Sequence, residues 1–456
     1  MAGNRRASQP AAPWGEFAVD LGARGLISGN GDAFNMNRDH GMLHRPFARA
    51  AAAVVFSLWI GTAGAENAPA VGNPVIDRTV QLVEEHFFSP AALPEFRETV
   101  AEVREEAAKR PADNPLTVDE AVNRILASLK ASHTARYTPD TVEYYELADV
   151  FRYGIRNDVR RLFPPDGRIE YDGIGIASRT IDGKIFVTDV YTGGPADAVG
   201  VLAGDEIIAA DGAPFAAIGS FQGEAGETVD LTVRHTADGA PVTIPVKVER
   251  LQATGALTDA IADSVRVIEA GGKKIGYVRL WTYTTDRVTQ ILYSEIGGGK
   301  LKDVDGLVLD LRSRWGGAPA DAAETFVGRT GDMVLTDRNG EENFANVRFH
   351  KPVVAIIDEG SRSGMEILAY ALKKNGIPLV GTTTAQDVVA GTGYLLPDDS
   401  LLILAVADVH VDGKRLENVG VSPDISVPFD IRYANGADPQ FDAALAELEK
   451  RLDGVN

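Results

Sequence analysis

From Asn73 to about Phe163 the apolar positions recur at helical spacing. VIDRTVQLVEEHFF sets Val75, Val80, Leu82, Val83 and Phe87 along one side, and VDEAVNRILASLK does the same with Val118, Ala121, Ile125, Leu126 and Leu129. Pro111 and Pro115 interrupt the chain between them. This pattern predicts a helical N-terminal domain over residues 66–165. From about Arg168 the period becomes two: IGIASR, KIFVTDVY, TVDLTVRH and VTIPVKVER read as short strands parted by Gly and Asp turns, a β-domain over residues 166–252. After Leu251 strand and helix alternate. KIGYVRLWTY, GLVLDLR, KPVVAIID and PLVGTT are apolar strands, with ADAAETFVG and GMEILAYALKKNG as helical segments between the last three. Strands buried on both faces and separated by helices predict a layered α/β core over residues 253–435. PQFDAALAELEKRL predicts a closing helix within residues 436–456. The whole reads as an α/β multidomain chain.

The N-terminus carries a different message. MLHRPFAR, starting at Met42, holds Arg45 and Arg49 and leads into the apolar run AAAAVVFSLWIG, then Ala63-Gly64-Ala65. A charged segment, a short apolar stretch and small residues at the end are the order of a secretory leader, expected at residues 42–65. The run falls short of the roughly 20 apolar residues a membrane span needs. Residues 1–41 show no hydrophobic period and read as an upstream extension. The expected location is therefore exported, periplasmic or extracytoplasmic, with membrane anchoring if the leader stays uncleaved.

Composition narrows the chemistry. The chain of 456 residues has a net charge of −20, which argues against a nucleic-acid partner, whose binders present a basic face. It contains no cysteine, so thiolate catalysis, cysteine-ligated zinc and disulfides are excluded.

Two segments are candidates for chemistry. In DEGSRSGMEILAYAL, residues 358–372, a strand ends and a helix begins near Gly364, which leaves Ser363 beside unpaired helix N–H groups. Such a place suits a nucleophile whose attack creates an oxyanion, though serines at helix starts are usually N-caps. The Gly-x-Ser-x-Gly elbow is not met, because Arg362 is the centre of Gly360–Gly364. In GLVLDLRSRWGGAP, residues 306–319, Gly316-Gly317 follow a strand and let backbone N–H groups approach a ligand; a plain tight turn is the alternative.

GGPADAVGVLAGDEIIAADG, residues 193–212, resembles the core of a PDZ domain, with Gly194-Pro195-Ala196, Gly200 and Gly204-Asp205 at the family spacing. The resemblance covers about Arg168 to Leu251. It implies that Gly173, Ile174, Gly175 and Ile176 form the loop that offers N–H groups to a peptide's C-terminal carboxylate, beside a strand open to an added one. A plain β-bulge is the alternative.

The strand with Gly-Gly, the Ser-x-x-Glu helix start and LENVGVSPDI, residues 416–425, follow in the order of the C-terminal processing (tail-specific) proteases and the tricorn core. That resemblance spans roughly residues 75–430. It implies a ClpP/crotonase-like α/β serine peptidase core, no metal or organic cofactor, and protein or peptide substrates held by C-terminus or extended strand. Alignment on Glu366 implies Ser363 as nucleophile, with Gly364 and Gly316 or Gly317 supplying the oxyanion hole. The tail-specific enzymes, however, pair serine with a lysine in a turn that corresponds here to residues 381–388, where no lysine stands. Lys373 and Lys374 lie about ten residues past Ser363, carried away along the helix. The tricorn-like branch instead uses Ser-His, Ser and Glu, which match Ser132-His133, Ser363 and Glu417. A histidine base takes the serine proton near neutrality, and a group behind it fixes the tautomer.

Of seven histidines, His40 and His44 precede or lie in the leader, His86 is within a helix and His235 in the β-domain. His350 and His410 remain alternative bases. The reading is an exported serine endopeptidase. The rival is a non-catalytic peptide- or ligand-binding protein on the same scaffold, motivated by the missing lysine. Substrate identity and oligomeric state are not legible.

Overall fold

The computed structural model describes residues 70–454 apart from 313, 329 and 330. The leader and the upstream extension expected at residues 1–65 lie outside the described residues. Among those described, no helix is long and apolar enough to cross a membrane.

The organising element is a six-stranded sheet. Its order is Ile425–Ser426, Leu379–Gly381, Val353–Ile357, Gly306–Asp310, Lys273–Arg279 and Arg266–Ala270. The first five are mutually parallel and only the last pair is antiparallel. Gly306–Asp310 and Val353–Ile357 are buried throughout, as parallel strands covered on both sides must be. Alternate residues divide between two cores. Val308, Val354, Ile356 and Val380 face Ala444, Leu448 and Leu452 of the C-terminal helix Pro439–Asp453. Leu307, Leu309, Ala355 and Ile357 face the opposite core, which includes Met365, Leu368 and Leu372 of helix Gly364–Lys374 and Val288 and Leu292 of helix Asp286–Gly297. Each such aliphatic side chain contributes about 1.5–3 kcal/mol by leaving water. The closing helix is therefore one layer of the core, and the segment ADAAETFVG supplies only the short helix Glu324–Val327.

The β-domain is a five-stranded antiparallel sheet in sequence order, from Ile176–Ile181 through Lys184–Val190, Glu206–Ala210 and Thr228–Arg234 to Val242–Lys247. It has its own apolar cluster, built around Ile174, Val187, Phe221 and Leu231.

The N-terminal helices begin as their caps dictate. Asn73 receives the Val75 N–H before helix Pro74–His86, and Thr117 with Glu120 forms a reciprocal capping box before Val118–Ala127. They do not close a core alone. Leu82, Phe96 and Ile125 share a cluster with Leu402, Leu404 and Ala405 of strand Leu401–Asp408. Strand Ala135–Tyr137 pairs antiparallel with that same strand, Arg136 opposite Leu402. Helical periodicity predicts the helices, but it cannot reveal that their apolar faces meet the strand Leu401–Asp408, far along the chain.

Candidate active site

The parallel strands end at one rim, where side chains and loop amides converge outside the carboxyl ends. Ser363 leads the helix Gly364–Lys374 with φ 54° and ψ −125°, and its side chain makes no capping bond. The N-cap alternative is thus not realised. A non-glycine residue at this backbone conformation is strained, costing about 1–3 kcal/mol, and the surroundings must hold it there. They do so from three sides. Ser361, fully buried, donates its hydroxyl to the Leu311 carbonyl at 2.7 Å, tying the loop to the neighbouring strand. The Ser363 N–H donates to the Asp387 carbonyl at 3.0 Å. Glu366, one turn into the helix, accepts the N–H groups of Gln386 and Asp387 at 2.9 and 2.7 Å. The acid of the Ser-x-x-Glu motif therefore clamps the loop at 386–387.

Gly316-Gly317 lie against this turn. A Cβ on Gly316 would sit 2.6 Å from the Ser363 Cβ and 2.9 Å from the Gly364 nitrogen, and one on Gly364 would sit 2.5 Å from the Ala318 nitrogen. Only glycine permits such an approach. The Gly316 carbonyl accepts the Tyr283 N–H at 2.9 Å, whereas the N–H groups of Gly316, Gly317 and Gly364 donate to no acceptor among the described residues. The three glycines named from sequence are therefore together beside Ser363.

Ser132 and His133 occupy the turn between helix Val118–Ala127 and strand Ala135–Tyr137. The turn is held from behind by Arg136, whose buried guanidinium bonds Ser400 at 2.8 Å, Asp119 at 2.9 Å and Asp398 at 2.6 Å. Glu417, 1% exposed, accepts the Ser132 N–H and hydroxyl at 2.8 Å each and the Val388 N–H at 2.7 Å. The Ser132 oxygen also lies 3.1 Å from Nδ1 of His133. A hydroxyl has one proton, and here it is given to Glu417. Ser132 must then accept from Nδ1–H, which leaves Nε2 of the neutral ring with a free lone pair. Burial pushes the His133 pKa down to about 4, opposed by the Glu417 charge and assisted by that of Arg362. The imidazole is therefore neutral near pH 7. Gly391 leaves room for it, since a Cβ there would lie 3.1 Å from that of His133.

Among the described residues no hydrogen bond joins the Ser363 hydroxyl to the His133 ring. The two are linked instead through the backbone at 387–388, which bonds Ser363 on one side and Glu417 on the other. Catalytic hydrogen bonds are often unformed before substrate arrives.

The other histidines are elsewhere. His350, 57% exposed, faces Asp332, and His410 is exposed in a two-stranded hairpin. His86 stacks on Tyr394 and His235 pairs with Asp205. Lys373 and Lys374 bond Ser422, Asp424 and Asp412.

The four residues expected to hold a peptide terminus divide differently from the simple loop. Gly173 ends strand Glu170–Gly173, and Ile176 opens strand Ile176–Ile181, so only Ile174 and Gly175 form the turn, with Gly175 at φ 75°. Their carbonyls accept the Ala196 and Tyr191 N–H groups at 2.9 Å. The strand that follows is an edge of its sheet.

Sequence reasoning missed the side chains that hold these loops. Glu146, fully buried, accepts from Tyr191 of the β-domain, from Arg314 at 2.9 and 2.6 Å and from Trp315 at 2.8 Å, just ahead of Gly316. No local pattern marks an acid on a helix as the anchor of a loop about 170 residues later. Arg-Trp before Gly-Gly was the only hint.

Residues 274–427 match peptidase family S41 and residues 173–248 match the PDZ domain family. The chain is 28% identical over 368 residues to a carboxyl-terminal-processing protease of Picosynechococcus, covering 75% of this chain and 82% of that protein. It is 29% identical over 346 residues to a chloroplastic C-terminal processing peptidase of Tetradesmus obliquus, covering 70% of each. Among solved structures it is similar to the photosystem II D1 C-terminal processing protease, with 23% identity and a TM-score of 0.47 over 80% of this chain and 97% of that one.

Proposed function

We propose that this chain, a serine peptidase of the carboxyl-terminal processing family with a PDZ domain, cleaves peptide bonds by acyl transfer from Ser363, with His133 as base. The observation that carries the reading is the uncapped Ser363 on a strained turn packed against Gly316, with the N–H groups of Gly316, Gly317 and Gly364 donating to no acceptor among the described residues. In the proposed sequence, the Ser363 hydroxyl is brought to Nε2 of His133 when substrate binds, and that nitrogen takes its proton as the oxygen attacks the carbonyl. The developing oxyanion is met by the amides of Gly364 and of Gly316 or Gly317, each donor contributing about 3–4 kcal/mol. Ser132 and Glu417 hold the ring's tautomer and stabilise the imidazolium that forms. His133 then protonates the leaving amine, and water releases the acyl group by the same route in reverse. The lysine of the tail-specific pattern is replaced by this histidine set.

The substrate is proposed to be an extended or unfolded polypeptide. Its C-terminus or a strand would lie along the edge Ile176–Ile181, with its carboxylate at Ile174-Gly175. Export by the leader at residues 42–65 belongs to the same proposal.

The unbridged Ser363 and His133 favour one competing reading, a non-catalytic peptide binder on this scaffold. Fluorophosphonate labelling separates the two. Wild type should label at Ser363 and degrade unfolded casein, and Ser363→Ala should do neither. A wild-type protein that neither labels nor degrades unfolded protein sinks the peptidase mechanism.

A further inference from the structure

Arg362, immediately before the nucleophile, is an arginine with no ion pair among the described residues. The chain carries 65 acidic against 45 basic residues, and the other described arginines with a buried, unpartnered Nε, Arg234 and Arg348, each have an acid in ion-pair distance, Glu206 and Asp332. Arg312 is held by Asp310 and Asp438, Arg314 by Glu146 and Glu143, and Arg136 by Asp119 and Asp398. Arg362 has no ion pair among the described residues, and its Nε is buried without a hydrogen-bond partner. The guanidinium carbon lies 5.6 Å from the centroid of the Trp315 ring, which Glu146 fixes through the indole N–H. It therefore has an apolar platform but no anion.

Its field reaches neighbouring titratable groups. It opposes protonation of His133, and it favours the charged forms of Tyr137 and Asp387. Asp387, the acid best placed to answer it, is outside ion-pair distance, and burial pushes its carboxyl pKa up. A guanidinium that is partly withdrawn from water and presents a planar set of donors is a strong receiver of a carboxylate. Its backbone adjoins Ser363 and its guanidinium lies beside the Trp315 ring, so a substrate bound at Ser363 is the nearest source of a carboxylate for it.

We propose that Arg362 is a specificity-determining residue that receives a substrate carboxylate beside the scissile bond. The inference rests on Ser363 being the nucleophile. The carboxylate has two sources, an Asp or Glu side chain flanking the bond or the terminal carboxylate of a chain ending close to it. Trp315 would stack the guanidinium flat and so fix the plane in which that carboxylate is met.

The test uses fluorogenic peptides of one parent sequence in three forms: neutral flanks with an amidated end, Glu on either side of the cleaved bond with an amidated end, and neutral flanks with a free C-terminus close to the bond. The quantity read is the ratio of kcat/KM between each carboxylate form and the neutral form, for wild type, Arg362→Gln and Arg362→Lys. Wild type should prefer one carboxylate form by about 10- to 100-fold, the range of a charged hydrogen-bonded contact. Which form is preferred identifies the source. The ratio should fall to near one in Arg362→Gln and be intermediate in Arg362→Lys, which keeps the charge without the planar fork. If Arg362→Gln no longer reacts with fluorophosphonate, the Arg362→Lys ratio decides. A wild-type ratio of one, or a ratio unchanged by both substitutions, overturns the proposal. So does a variant that shifts the acid limb of the pH profile equally for all peptides while keeping the ratio, since Arg362 would then act only on His133. A wild-type enzyme that does not react with fluorophosphonate at all refutes the nucleophile. One that labels and cleaves without preference refutes only this inference.

Discussion

Glu417→Gln isolates the part of the site that stands behind His133, the proposed base. The carboxylate is 1% exposed and accepts three donors, the Ser132 N–H, the Ser132 hydroxyl and the Val388 N–H. Glutamine keeps the shape but offers one acceptor oxygen and an NH₂, so in either orientation a buried N–H meets another donor. That costs about 1–3 kcal/mol of stability. The catalytic loss is separate and larger. The imidazolium formed during attack is already disfavoured by burial, and Glu417 supplies the charge that opposes this. Where a carboxylate bonds the imidazole directly, its amide replacement lowers kcat about 10⁴-fold. Here the Ser132 hydroxyl intervenes, so we expect about a 10²–10³-fold fall, or ~2.7–4 kcal/mol of barrier. The assays are fluorophosphonate acylation, kcat/KM on a fluorogenic peptide across pH, and thermal melting. The plateau should drop, and the acid limb should move to still lower pH because a charge that holds the proton on His133 is gone. A folded variant within about threefold of wild type and with an unmoved acid limb would refute the placement of Glu417 behind the base.

Three further outcomes follow from the same geometry. Gly317→Ala should cut kcat by about 10²-fold or more, because the proposed oxyanion loop must shift. The new Cβ at φ +84° would meet the Thr284 Cγ2 at 2.4 Å, and steady-state kinetics with a melting curve would show the loss. In wild type, the acid limb of kcat/KM should lie near pH 4 rather than at the ordinary histidine value of 6.5, since burial favours the neutral base. The same shift works against the fold in acid. Below 6.5 the unfolded chain binds a proton that the folded chain refuses, so stability declines as pH falls toward 4 and the decline ends below it. Urea titrations at stepped pH would check the slope.

Much of this protein was written locally. Period-two and helical hydrophobic patterns marked the β-domain, the α/β core and the closing helix, because burial of one face or of both imposes those repeats. Ser132-His133, Ser363, Glu417 and the paired glycines were legible as motifs in a family order. The absence of lysine at 381–388 already directed attention to a histidine. Tertiary structure decided what no local pattern could carry. The N-terminal helices share a core with a hairpin from the far end of the chain, so they are not a self-contained domain in packing. The hydroxyl of Ser132 faces Glu417, and this assigns the tautomer of His133. Glu146, Ser361 and Glu366 hold the loops through hydrogen bonds whose partners are set by distance in space. Arg362 shows the difference most plainly. In sequence it is one charge among many, and only the arrangement of every nearby carboxylate reveals that its own is missing.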